Sequence, residues 1–413
     1  MIKIRPITTT PCALGEGPLW DAQHQRLFWV DSYLGQIFSR DSGGAINTWQ
    51  MPCMIGSLAV INLDEILVAL QSGLHRFNLR THLLQLIHDP EPDLPTTRLN
   101  DGKTDRTGQF LFASMGITDR TQGWGALYRL RGDGVVERLL DNVIVGNGPC
   151  FSPAGDTLYF SDGRGVILQF DYAADQGLSA PRPFFDAKAI GIACDGATVD
   201  SNGNLWTALI GAGKIGCISP MGELKLTVDL PIPLVSSVMF GNPDLDALFV
   251  TSISNSGNRQ DKHPESGLVF EISGLASTGL PETALRDPQW DRVEFRHACR
   301  ASVGGPLSLV SPVSRVLVRH CFSAANWCDK QPSVRQPAIP PAIGVVMTQW
   351  TTALLSRRVK PFVAWRAIRR LLADPDDTTQ VFSIIEALKG DSLSKATRRL
   401  RASEGGRRLL QTK

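Results

Sequence analysis

Between residues 16 and 280 the chain alternates short apolar runs with polar or glycine-bearing turns, and the alternation repeats over a long period. Six segments share one form: a small or polar start, a short strand, a turn, and a second strand rich in aromatic and β-branched residues. They read EGPLWDAQHQRLFWVDS from 16, IGSLAVINLDEILVAL from 55 and DGKTDRTGQFLFAS from 101. The others are NGPCFSPAGDTLYFSD from 147, DGATVDSNGNLWTAL from 195 and SVMFGNPDLDALFVTS from 237. Their starts lie 39, 46, 46, 48 and 42 residues apart, the length of one four-stranded propeller blade. Third strands follow in several repeats, as GALYRL (125–130), GVILQFDY (165–172) and GKIGCISP (213–220). No amphipathic helical stretch separates these strands, which argues against a parallel α/β sheet. The pattern predicts an all-β fold, a six-bladed β-propeller. GLVFEIS (267–273) needs a partner, and the N-terminal KIRPIT is the segment available to close the ring.

After about residue 290 the β-repeat stops. Residues 291–350 include KQPSVRQPAIPPAIG, a proline-containing stretch without a period that reads as a linker. Residues 351–413 become helical in pattern, with PFVAWRAIRRLLA placing Trp365, Ile368 and Leu372 on one face. DPDDTTQVFSIIEALKG and the basic DSLSKATRRLRAS continue that pattern. The expected organisation is a propeller over 1–290, a linker over 291–350 and a basic helical tail over 351–413.

Charge supports the division. The near-neutral total conceals 14 Lys and Arg against 6 Asp and Glu in 351–413, whereas the preceding 350 residues hold 28 against 34. The basic tail reads as a solvated charged face, so no nucleic acid is expected and no tail partner is assigned. The eight cysteines form no CxxC pair, which leaves a zinc ribbon or thioredoxin-type site unsupported. MIKIRPITTT lacks the apolar core of a signal peptide, and no apolar stretch is long enough to span a membrane. A cytoplasmic protein with free thiols is the expectation.

In a propeller, equivalent repeat positions form a ring about the axis. The position just before each innermost strand reads Glu16, Ile55, Asp101 (beside Asn100), Asn147, Asp195 and Ser237. Four of the six are a carboxylate or amide followed by glycine, and glycine lets the backbone pass close to the axis. Asp-Gly and Asn-Gly are also common turn formers. Each of Glu16, Asn147 and Asp195, however, precedes its second apolar strand by 10 or 11 residues, and each repeat has its own separate turn. Convergent carboxylates and amides repel and desolvate one another unless a cation lies between them, and oxygen donors without histidine point to a hard divalent metal. Histidines 24, 75, 82, 88 and 263 fall in or near turns and outer strands, as packing or surface residues. No Gly-x-Ser-x-Gly elbow occurs, so a serine hydrolase route has no support.

GEGPLWD, RLNDGKTDRTGQF, GALYRL, NGPCFSPAGDTLYFSD, DGATVDSNGNLW and FGNPDLDALFVTS together resemble the senescence marker protein, gluconolactonase and regucalcin family, over about residues 10–290. The resemblance implies a six-bladed propeller with one divalent cation (Ca, Zn or Mg) on its axis, acting on a small sugar lactone as a carboxylic ester hydrolase. It implies Glu16, Asn147 and Asp195 as metal ligands, Arg98 and Asn100 as substrate-binding residues, and Asp195 as the catalytic acid/base. The same family also offers a non-enzymatic calcium-binding regulator as the alternative. The linker ITDRTQGW lacks an equivalent of the acidic substrate ligand that some members place there; Asp119 is nearest and receives no role. Residues of about 363–410 resemble the truncated start of a helical ubiquinone-biosynthesis protein family, and no activity is carried over from it.

Overall fold

Each repeat folds as an antiparallel meander because its turns are locally encoded. In DSNGN, the Asp200 carboxylate accepts the N–H groups of Asn202 (3.0 Å) and Asn204 (2.8 Å) and the indole N–H of Trp206 (3.0 Å). Gly203 takes the positive φ that the turn requires. A computed structural model describes residues 1–287, and within them six four-stranded sheets form a propeller. The linker and helical tail expected over 291–350 and 351–413 lie outside the described residues.

From the axis outward, blade 1 consists of Gly15–Asp21, Arg26–Asp31, Gln36–Asp41 and Ile46–Gln50. Blade 2 is Ile55–Val60, Glu65–Leu70, Gly73–Asn78 and Leu84–His88, and blade 3 is Thr97–Thr104, Phe110–Gly116, Gly125–Leu130 and Val136–Val143. Blade 4 comprises Asn147–Phe151, Thr157–Ser161, Val166–Asp171 and Arg182–Asp186; blade 5 comprises Ala193–Val199, Leu205–Ile210, Lys214–Ile218 and Leu224–Asp229. Blade 6 has Val235–Gly241, Ala247–Ser252 and Phe270–Ser273, and its outer strand is the N-terminal Lys3–Pro6, paired Lys3 to Ser273 through Pro6 to Phe270. The N-terminal strand therefore closes the ring, as its sequence suggested.

One apolar cluster fills each gap between blades. Leu19, Phe28, Ile55 and Val68 pack between blades 1 and 2, and Trp206, Ile215, Phe240 and Val250 between blades 5 and 6. Trp20, Trp29, Met239 and Phe249 seal blade 6 to blade 1. The six innermost strands touch their neighbours all the way round.

Every innermost strand carries a bulge, between Glu16 and Leu19, Ile55 and Ser57, Leu99 and Gly102, Asn147 and Cys150, Cys194 and Ala197, and Val235 and Ser237. This corrects the placement of the ring residues, which lie within the innermost strands at the bulge and not ahead of them. The extra residue breaks the alternation of faces and re-aims side chains toward the axis. It also shifts the register: Asp195 occupies the first bulge position, matching Asn100 in blade 3 and not Asp101. Blades 1 and 4 differ again, with Gly17 and Gly148 at that position in the left-handed region.

The segment after blade 6 crosses the underside. Ser201 N–H donates to Thr278 O, Gly279 N–H to Leu245 O, Leu285 N–H to Val60 O and Arg286 N–H to Gly108 O. These bonds engage the lower turns of blades 5, 6, 2 and 3, and the Glu282 carboxylate lies 3.9 Å from Lys103 Nζ of the blade 3 inner strand. At Gly56 a Cβ would stand 2.2 Å from the Asn100 carbonyl oxygen and 2.6 Å from its Cα, both backbone atoms of the adjacent blade. Gly56→Ala is expected to lower stability by about 1–3 kcal/mol through overpacking, with a lower urea midpoint and an unchanged m-value.

Candidate functional site

The bulges deliver polar groups to one end of the axial channel. Arg98, Asn100 and Asp101 come from the blade 3 inner strand, Glu16 from blade 1, Asn147 from blade 4 and Asp195 from blade 5. Blade 2 offers Ile55 and Ser57 and blade 6 offers Ser236 and Ser237, so the charge is concentrated on the odd-numbered blades. The channel below is lined by residues including Ser57, Asp101, Lys103, Ala197 and Ser237.

Hydrogen bonds fix the arrangement. Asn100 Nδ2 donates to Asn147 Oδ1 and to the Gly146 carbonyl, each at 2.8 Å. Asp101 accepts the Gly148 N–H at 2.7 Å and the Gly102 N–H at 2.9 Å. Blade 3 thus braces the bulge of blade 4 from both of its own bulge residues. The amide nitrogen of Asn100 is committed to this contact, a positioning duty that the sequence did not disclose; only its Oδ1 remains for a ligand. Lys103 Nζ donates to the Ala197 carbonyl across the channel at 2.9 Å. Buried Arg98 donates from Nη1 to the Leu99 carbonyl at 3.0 Å.

These groups perturb one another's protonation. Burial, then the carboxylates of Asp195 and Asp101, hold Glu16 well above the usual carboxylate range, against the pull of Arg98 and the Gly17 N–H. Burial, reinforced by Asp101, pushes Asp195 up to about 7, opposed by Arg259, Arg98 and the Gly196 N–H. Asp101 is raised by burial, against the Gly148 N–H, Lys103 and the Gly102 N–H. Arg98 is pushed down to about 10 by burial and by neighbouring Arg120, with Glu16 and Asp195 opposing. Glu16, Asp195, Asp101 and Arg98 therefore share one field, and Asn100 and Asn147 are bonded together beside Asp101. All five residues singled out in the sequence are brought to this end of the axis.

Two members of the site escaped the sequence reading. Arg120 lies in the segment joining the second and third strands of blade 3, and Arg259 in the corresponding segment of blade 6; both act on Asp195. Isolated arginines in irregular loops carry no periodic signal. Within ITDRTQGW it is the basic Arg120, and not Asp119, whose charge acts on Asp195. Asp119 is exposed and turns its carboxylate to the Thr121 N–H (2.9 Å) and hydroxyl (2.7 Å). His24 stands against Asp21 at 2.8 Å, and His75 lies in the third strand of blade 2.

The donor set fits a hard cation. Among the described residues no group of three or more His, Cys, Asp and Glu side chains forms a metal cluster. Glu16, Asp195 and Asn147 instead supply carboxylate and amide oxygens alone. Buried like charges that raise one another's proton affinity are relieved by a cation of the type oxygen ligands favour. Among the same residues no helix is long and apolar enough to cross a membrane.

Residues 14–254 match the family model described as the SMP-30/Gluconolactonase/LRE-like region. Regucalcin of Xenopus laevis is 29% identical over 297 residues, which cover 69% of this chain and 98% of that protein. The 6-deoxy-6-sulfogluconolactonase of Pseudomonas putida is 29% identical over 273 residues, 65% of this chain and 93% of its own. Among solved structures, the calcium-binding protein regucalcin from Agrobacterium tumefaciens superposes with a TM-score of 0.65 at 28% identity, covering 68% of this chain and 97% of its own.

The raised carboxyl groups set the sign of a pH effect. Asp195 ordinarily loses its proton near 3.8, and in the folded chain it holds it up to about 7. The metal-free protein is therefore expected to lose thermal stability as pH rises from about 4 through 7, because the folded state binds more protons there. A divalent cation must displace those protons. Calorimetry is expected to show calcium binding that tightens from pH 5.5 to 7.5, with proton release at the lower pH.

Proposed function

The chain belongs to the SMP-30/gluconolactonase/LRE-like family, and from that membership we propose that it hydrolyses a sugar lactone with the help of one divalent cation. Glu16, Asn147 and Asp195 would hold the cation. When bound, such an ion supplies Lewis acidity toward the ester carbonyl oxygen as charge builds there. The observation that supports an enzyme over a simple calcium-holding protein is Arg98, a buried guanidinium set beside Glu16 and Asp195. A site built only to retain a cation gains nothing from a second positive charge next to it.

The chemistry assigned to the chain's own groups is short. Asp195, as carboxylate, takes a proton from the water that attacks the lactone carbonyl carbon. The bond between that carbon and the ring oxygen then breaks, and Asp195 returns the proton to the departing oxygen. The products are the open hydroxy acid and the regenerated carboxylate. Arg98 orients the substrate through charge-assisted hydrogen bonds. Asn100 keeps Asn147 in place and offers its Oδ1 to a sugar hydroxyl. The likeness to the sulfogluconolactonase of Pseudomonas putida supports lactone turnover, and the likeness to regucalcin supports the cation.

Hydrolysis of a panel of aldonolactones, with calcium, zinc or magnesium and with chelator, tests the reading. Turnover is expected to vanish with chelator and to return with metal. Asp195→Asn is expected to lower kcat by about 10²–10⁴-fold, the range of a lost general base. Arg98→Ala should act mainly on KM. Tight calcium binding without turnover of any lactone would replace this reading with the non-enzymatic regulator.

A further inference from the structure

Blades 3 and 6 face each other across the six-bladed ring, yet Arg120 of one and Arg259 of the other lie within electrostatic reach of each other. Both belong to segments that follow a blade's second strand, 117–124 and 253–269, and in an antiparallel meander these emerge at the end where the innermost strands begin. Both segments therefore stand at the mouth end of the axis, where half-buried Arg120 feels the charges of Arg259 and Asp195. Each is held in a defined turn. The Asp119 carboxylate caps the turn carrying Arg120. The Arg259 hairpin is fixed by the Asn255–Gln260 bridge and by Ser256 N–H donating to the Arg259 carbonyl at 2.9 Å.

Most arginines away from the mouth lie against carboxylates, as in Arg26–Asp21, Arg76–Glu65, Arg129–Glu137 and Arg182–Asp171. Arg98, Arg120 and Arg259 form no such contact pair among the described residues. Two of the acids on the same segments are engaged elsewhere, Asp119 with Thr121 and Asp261 with Ser266. With a divalent cation beside Glu16, Asp101 and Asp195, three guanidiniums leave the mouth net positive. Half-buried Arg120 also bears a desolvation cost that no protein carboxylate in contact repays.

We propose that Arg120 and Arg259 bracket an acidic substituent of the substrate, so that the site prefers a sugar lactone bearing a carboxylate, sulfonate or phosphate over a neutral one. Guanidinium forks match all three groups in charge and geometry. This inference rests on the lactonase reading above.

The test compares kcat/KM of the calcium-loaded protein for gluconolactone, saccharolactone and 6-phosphogluconolactone. The acidic lactones are expected to exceed the neutral one about tenfold or more at low salt, with the advantage shrinking as salt screens the mouth. Arg120→Ala and Arg259→Ala should each reduce the acidic-to-neutral ratio about tenfold through KM, and Arg→Lys at either position should restore part of it. Equal rates for all lactones, or an unchanged ratio in both variants, would overturn the selection while leaving the lactonase reading intact. Calorimetry with the open-chain acids glucarate and gluconate gives a readout independent of turnover. Tighter glucarate binding that is lost in Arg120→Ala would uphold the bracket even if no lactone were hydrolysed.

Discussion

Closure of the ring is the constraint on which the other features depend. Six blades bring six strand edges to one axis only if the sixth is joined to the first, and here Lys3–Pro6 completes the blade whose other strands begin only at Val235. The pairing covers the edge of Phe270–Ser273 and leaves a short four-residue strand as the outer edge of blade 6, and the Trp20, Trp29 and Phe249 cluster fills the last gap. Without it, Glu16 of blade 1 would have no fixed relation to Asp195 of blade 5. The two most distant β segments among the described residues thus set the geometry of a site that neither of them lines.

Closure also explains the tolerances at the axis. Six strands converging on a narrow channel leave no room for side chains at some positions, as at Gly56 against Asn100 and at Gly196, where a Cβ would stand 2.0 Å from Ser237 Oγ. The bulges at the same level turn side chains inward that a regular strand would point sideways. Close approach and inward aim together create a low-dielectric volume in which carboxylates raise one another's proton affinity. That unfavourable field is one a divalent cation would relieve, and the electrostatics of the mouth grow outward from it.

Much of this architecture was legible in the sequence because the inner strands are apolar and their turns are encoded by Asp, Asn and Gly. The outer strands were harder to read. Ile46–Gln50 and Leu224–Asp229 face solvent along most of their length and lack an apolar signature. Glu16, Asn147 and Asp195 could be grouped by spacing, but spacing alone could not distinguish Asn100 from Asp101 as the match for Asp195, since a bulge shifts register without changing composition. Arg120 and Arg259 were invisible for a different reason: their proximity arises from two irregular segments on opposite blades, a relation that exists only in three dimensions.

The segment that crosses beneath the propeller carries one further consequence. By bonding to the lower turns of blades 2, 3, 5 and 6, and by setting Glu282 under Lys103, it stoppers the channel from below. The axial site is then a cup and not a tunnel. Whatever enters must leave by the same doorway, so release of one molecule gates admission of the next, and any solute that lingers at the rim acts as a competitor for entry.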